Sequence, residues 1–218
     1  MKAPKYRSIG LFATVLAFYL ISPLLNRGVH FEASISVVFS FVIGLFGYLL
    51  RPSRVWLIGV TSFSALALLF FIVRSILPGS VVIGFLYQLA LLGILILTLW
   101  HCLRYALYAR DPRPFDRVIA GVSGYFILGL IWASIYSSIL GFHPEAIQQG
   151  EQAIGPANST VFYYSLITLT TQGYGEIVPA NPYVRILAGM EGAFGSIYLA
   201  VLIAVLVSEV RREREIAK

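Results

Sequence analysis

The chain has 218 residues, of which 58% are hydrophobic and 12% charged, and its mean hydropathy is strongly positive, a composition that excludes an ordinary soluble domain and fits one that lives in lipid. A formal charge of +6 would suit a polyanion, but the basic residues sit in short clusters between apolar runs and form no continuous stripe, which excludes a nucleic-acid-binding face. Cys102 is the only cysteine, so no intrachain disulfide and no cysteine-based metal cluster can form.

A helix rises about 1.5 Å per residue, so crossing a hydrocarbon core of about 30 Å takes roughly 20 apolar residues. Six stretches meet that length: Ile9 to Leu25, Ala33 to Leu50, Val55 to Val73, Val81 to Trp100, Val118 to Leu140 and Tyr183 to Val207. The first five carry no charge. The first follows Lys2, Lys5 and Arg7, the outline of a secretory signal, but no small-residue cleavage pattern follows it and it is expected to remain as a helix. With six spans, thirteen Lys and Arg fall on one side and only Arg27, Arg74 and Arg185 on the other. Positive loops stay cytoplasmic, which predicts an integral protein of the inner or plasma membrane with both termini cytoplasmic.

Between spans four and five, His101 to Arg117 is polar and contains Asp111-Pro112-Arg113-Pro114, a helix-breaking pair of prolines. This is the expected module boundary. Residues 1–110 then form a four-helix transmembrane bundle, 111–208 a module of two spans with the segment between them, and 209–218 a short cytoplasmic tail. The bundle reads as a scaffold or lipid-facing jacket. Its fourth span holds no basic residue between Val81 and Trp100, and Arg104 stands alone beyond it, so the repeated arginines of a voltage sensor are missing. His30, His101 and His143 lie at or beyond helix ends and read as interfacial polar residues.

Between spans five and six, Thr160 to Thr170 is apolar yet too short to cross, as expected of a re-entrant helix covered by protein or water. Asn158, Ser159 and Thr160 can cap its first turn, a reading preferred to the glycosylation sequon they also spell. Thr171-Gln172-Gly173-Tyr174-Gly175 follows, and its two glycines permit positive φ and carbonyls aligned in succession. Four such strands would stack carbonyl oxygens, with the Thr171 hydroxyl, into sites for a dehydrated monovalent cation. The negative end of the re-entrant helix dipole would favour cations there. Glu145, Glu151 and Glu176 make the outer loop acidic, which would either concentrate cations or be merely solvated.

The run Phe162-Tyr163-Tyr164-Ser165-Leu166-Ile167-Thr168-Leu169-Thr170-Thr171-Gln172-Gly173-Tyr174-Gly175-Glu176-Ile177-Val178-Pro179 resembles, without a gap, the aromatic pair, pore helix, filter and trailing proline of the potassium channel superfamily. The resemblance covers roughly residues 118 to 208. It implies an all-α membrane protein of six transmembrane helices, with a re-entrant pore helix and selectivity-filter loop between helices five and six. It implies a homotetramer, since one chain supplies a quarter of a coordinating ring, and passive conduction of potassium rather than enzymatic turnover. No cofactor is expected, potassium being the permeant ion at the Thr171, Gln172, Gly173 and Tyr174 carbonyls. Arg185 and Gly195 fall where the family often has a basic residue and a hinge glycine. Two positions differ: Gln172 stands where the family usually has Val or Ile, and Glu176 where it usually has Asp. A Gln side chain behind the filter requires a polar partner, and Thr168, Glu176 and Glu191 are the candidates.

Filter support is assigned to Thr168, Thr170, Glu176 and Glu191. Glu191, the only acid in a span, either partners Gln172 or the pore helix or the cavity, or is satisfied in a subunit interface with no role in conduction. Gly195 is either a gating hinge or one of a small-residue face with Gly189 and Gly192. Ser196, Leu199 and Ile203 are expected to line the inner cavity. Weakly selective cation conduction and a non-conducting sensor that keeps the channel fold are the alternatives. A transporter or membrane enzyme would show paired broken helices or converging His, Cys and carboxylate groups. The sequence names neither the gating stimulus nor a soluble partner.

Overall fold

A computed structural model describes residues 7–22, 54–77, 79–108, 114–155 and 159–216. The described helices are α1 (Arg7–Ile21), α2 (Arg54–Ile76), α3 (Val81–Tyr108), α4 (Pro114–Phe142), α5 (Ser159–Leu169) and α6 (Pro182–Ile216). Four of them, α2, α3, α4 and α6, are long and apolar enough to cross a membrane, whereas α1 and α5 are shorter. The second expected span, 33–50, lies outside the described residues, as does the end of the first beyond residue 22.

Burial explains the order of packing. In α4, 67% of the apolar window is buried within the chain, against 17% in α2 and in α6. Helix α4 is therefore the most enclosed of the four long apolar helices. On one flank Leu11, Val15 and Phe18 of α1 and Leu95 and Cys102 of α3 close over Ile127, Leu130 and Ile131 of α4. On the other, Tyr125, Trp132, Tyr136 and Leu140 of α4 enclose Val161, Tyr164 and Leu169 of α5 with Val184 of α6. Helix α2 is outermost, packing on α3 through Ala67, Tyr87, Ala90 and Leu91 and donating a bond from Trp56 Nε1 to the Leu97 carbonyl at 3.1 Å. The large exposed apolar residues of α2 and α6, Ile58, Leu69 and Ile72 on one and Ile186, Phe194, Ile197 and Ile203 on the other, are surface that only lipid or further protein can cover.

Helix ends follow local chemistry rather than the apolar windows. Helix α4 starts at Pro114 and α6 at Pro182, the first helical position where a missing N–H costs nothing. Asn181 caps α6 by accepting from the Tyr183 N–H at 2.8 Å. The polar stretch expected between spans four and five is mostly helical: α3 runs on to Tyr108 because Cys102 and Ala106 stay buried. Its junction with α4 is held by two charges that are both buried. Arg117 donates from Nε to the Ala106 carbonyl at 3.0 Å and from Nη2 to that of Leu107 at 3.4 Å, at the negative end of α3. Asp116 accepts from the Ser8 N–H at 3.0 Å, at the positive end of α1, and from the Tyr105 hydroxyl at 2.8 Å.

The all-α expectation needs one correction. The outer loop contains a small antiparallel sheet of order β2-β1-β3, with β1 at Ile147–Gln149, β2 at Gln152–Ala153 and β3 at Ile177–Pro179. Gln148 pairs with Ala153 on one side and with Val178 on the other. Ile147 and Ile177 are its buried residues. A strand of two or three residues spans too little chain for alternation to be visible in a sequence.

Candidate ion pathway

Helix α5 ends in a closed, hydrogen-bonded cap. The Gln172 N–H reaches the Ile167 carbonyl at 2.8 Å and the Thr171 N–H that of Thr168 at 3.0 Å, the paired bonds of a Schellman motif. That motif needs a left-handed residue at its pivot, usually Gly. Here it is Thr171, with φ of 56°. A β-branched residue in that region is strained by about 1 to 3 kcal/mol, which the surroundings must hold. Gly173 and Gly175 follow with φ of 46° and 91°. Three of the five filter residues thus adopt the conformations that glycine pairs were expected to permit, and Thr171 does so without being glycine.

Thr168 and Thr170 turn their hydroxyls back to the Tyr164 and Leu166 carbonyls, at 2.8 and 2.7 Å, so they tighten α5 itself. The Leu169 carbonyl, left over by the cap, accepts from the Tyr125 hydroxyl of α4 at 3.2 Å. At the outer end Glu176 accepts from Tyr163 of α5 at 2.5 Å. That carboxylate pushes the Tyr163 phenol up to about 12, so the group remains a donor at physiological pH. Beyond Glu176 the chain enters β3. The Ala146 carbonyl accepts from the Ala180 N–H at 3.0 Å, and Arg185 donates from Nε to the Pro179 carbonyl at 3.0 Å.

The expected partners of Gln172 are engaged elsewhere. Thr168 bonds Tyr164, Glu176 bonds Tyr163, and Glu191 bonds α4 and α5. No bond joins Gln172 to any of the three among the described residues, and its side chain is exposed. The cap at Thr171 ends α5, and residues 170–176 beyond it are exposed, with Tyr174 at 68% exposure.

Glu191 is fully buried. The Tyr136 hydroxyl of α4 lies 2.7 Å from its Oε2 and the Ser165 hydroxyl of α5 lies 2.5 Å from its Oε1. Its partner is therefore the pore helix, with α4 added. Gly195 sits where α6 crosses the end of α5: a Cβ there would overlap the Leu169 carbonyl oxygen and stand 3.0 Å from Leu169 Cδ1. Gly192 would meet the Thr168 carbonyl oxygen at 3.4 Å, an ordinary contact, and Gly189 would meet nothing. Ser196, Leu199 and Ile203 are exposed on the half of α6 beyond that crossing.

The sequence pointed to neither Tyr125, Tyr136 nor Ser165. A usable signal existed, because a buried tyrosine hydroxyl in an apolar span needs a polar partner and Glu191 is the acid available. Asp116 and Arg117 were read only as loop charges.

A short apolar helix, a capped turn with three positive φ angles and a flanking pair of long apolar helices make up the candidate site. A family model described as an ion channel matches residues 123–212. Among curated proteins, the chain is 36% identical over 47 residues to the potassium voltage-gated channel protein shk-1 of Caenorhabditis elegans, covering 22% of this chain and 9% of that protein. It is 30% identical over 90 residues to the potassium voltage-gated channel protein Shal of Drosophila melanogaster, covering 41% and 15%. The chain thus spans only a small part of the length of the relatives it matches. No solved structure matches it. These matches support the resemblance drawn from the sequence: residues 123–212 match an ion channel family, and four helices are long and apolar enough for an integral membrane protein.

Proposed function

We propose that the chain is one subunit of a homotetrameric, potassium-selective channel that conducts passively and opens without an arginine-based voltage sensor. The observation that carries this reading is the filter segment, where Thr171, Gly173 and Gly175 hold positive φ at the end of a buried pore helix. Four copies around an axis would turn the Thr171, Gln172, Gly173 and Tyr174 carbonyls toward potassium in place of its water shell. The partial negative charge at the C-terminal end of each α5 adds attraction for a cation. Exposure of residues 170–176 in the single chain supports tetramerisation, since neighbouring copies would cover them.

Six spans with both termini cytoplasmic complete the proposed topology. Residues 1–110 act as a jacket, and Ser196, Leu199 and Ile203 line the inner cavity, with Gly195 at the crossing of α6 and α5. Helix α3 carries Arg104 alone, near its end, which supports gating independent of a charge series crossing the field.

The test is potassium and sodium flux into proteoliposomes at controlled voltage, for the native chain and for Gly173→Ala. Potassium flux well above sodium flux, lost in Gly173→Ala, is the expected result. Comparable fluxes of both ions would replace the reading with weak cation selectivity, and no flux of either would favour a non-conducting sensor. A stable dimer in detergent or nanodiscs would refute the fourfold pore.

A further inference from the structure

Ser165 Oγ lies 2.7 Å from the Gly129 carbonyl oxygen of α4 and 2.5 Å from Glu191 Oε1 of α6. Both separations are hydrogen-bond distances, and each needs a proton between the oxygens. A serine hydroxyl has one proton to give and a backbone carbonyl has none. If Ser165 donates to Gly129, the proton between Ser165 and Glu191 belongs to the carboxyl.

We propose that Glu191 carries its proton in the working channel and, as a neutral acid donating to Ser165, is the positioning residue that seats the pore helix against α4 and α6. The bonds then run in one direction: Tyr136 O–H donates to Glu191 Oε2, Glu191 Oε1–H to Ser165 Oγ, and Ser165 O–H to the Gly129 carbonyl. Every member is satisfied, as a buried polar network must be. The series of bonds leaves α4 at Tyr136, crosses α6 and α5, and returns to α4 at Gly129, about two helical turns away. An ionised Glu191 would need donors from both neighbours, leaving Ser165 and Gly129 as two acceptors 2.7 Å apart with nothing between them.

Among the described residues no cationic side chain pairs with Glu191. The titratable groups that face Glu191 are Tyr19 of α1, Tyr125 and Tyr136 of α4, and Tyr164 of α5. Loss of the proton at alkaline pH would remove the donor to Ser165 and loosen α5, the element that aims the filter.

The assignment rests on the channel reading only for its functional consequence, so the deciding measurement is independent of conduction. Infrared spectra of the purified, membrane-reconstituted protein labelled with carbon-13 glutamate should show a protonated-carboxyl stretch at neutral pH that shifts with the label. It should vanish in Glu191→Gln. Should that variant fail to assemble, Glu191→Asp serves instead, keeping an acid whose band escapes the glutamate label. A neutral-pH spectrum with ionised carboxylates alone would overturn the proposal. In flux, Glu191→Gln, whose amide donates to Ser165 and accepts from Tyr136, should match the native chain at neutral pH and lose its decline at alkaline pH. Glu191→Val, which deletes the chain at its middle, should cut flux about tenfold or more. A Glu191→Gln channel as impaired as Glu191→Val, or one that retains the alkaline decline, would refute the neutral-donor role.

Discussion

Replacing Gly195 with Ala sets two opposing effects against each other at the crossing of α5 and α6. In a helix interior Ala is favoured over Gly by roughly 0.5 to 1 kcal/mol, because glycine gives up more backbone freedom. Against this, the added methyl would overlap the Leu169 carbonyl oxygen and stand 3.0 Å from Leu169 Cδ1 and 3.1 Å from the carbonyl carbon. Two of these three atoms are backbone and cannot rotate away. Leu169 is itself buried and accepts from Tyr125, so α6 must move rather than α5. Overpacking of this kind costs about 1 to 3 kcal/mol, which exceeds the propensity gain. The expected net destabilisation is therefore about 1 kcal/mol or more per subunit. Equilibrium unfolding in detergent, with Gly189→Ala as the comparison, measures it. Gly189 has nothing within 4 Å of the added Cβ and should be neutral or gain from propensity. If Gly195→Ala proved as stable as Gly189→Ala while the native chain gated normally, the close approach would not govern this position. A bending role for Gly195 would then be the better account.

Tyr125→Phe deletes the donor to the Leu169 carbonyl and should cost about 1 kcal/mol, read as earlier hydrogen exchange at residues 169–172; unchanged exchange there would show that α5 does not depend on this bond. Asp116→Ala removes the acceptor of the buried Ser8 N–H and of one bond from Tyr105 and should destabilise the junction of α1, α3 and α4 by roughly 1 to 3 kcal/mol, with Asp116→Asn, which keeps an acceptor, nearer to native. Equal unfolding midpoints for Asp116→Ala and the native chain would contradict this. Gln172→Val should keep potassium preference and change open probability or inactivation, because only the backbone of that residue is assigned to the ion. A strong change in the potassium-to-sodium permeability ratio with gating intact would place the side chain in the ion path.

What was legible in the sequence was whatever a local window could carry. Apolar runs of about 20 residues announce spans, and four of the six expected are present among the described residues as helices able to cross. The turn after α5 was legible in part because two glycines one residue apart permit positive φ, which Gly173 and Gly175 adopt. Long-range pairs were not. Glu191 stands 55 residues from Tyr136 and 26 from Ser165, and nothing in the spacing says that these three meet. The expected partnership of Gln172 with Thr168, Glu176 or Glu191 failed for a related reason. Each candidate had a nearer competitor. The burial of Asp116 and Arg117 against helix ends was not legible, because a count of Lys and Arg by side says nothing of what each group touches.

The filter segment is fixed at its two ends and free along its length. The inner end is closed by the cap on Ile167 and Thr168 and by α6 lying against Leu169, and the outer end by Tyr163 on Glu176 and by β3 in its sheet. Between them Thr171, strained by its positive φ, and Gln172, Gly173, Tyr174 and Gly175 are exposed. A strained backbone persists only where its surroundings over-determine it. On the proposed tetramer the missing cover is the neighbouring filter strands and the permeant ion itself. The alternating geometry is then stable as a ring and marginal as a single strand, so loss of assembly and loss of the filter conformation should occur together.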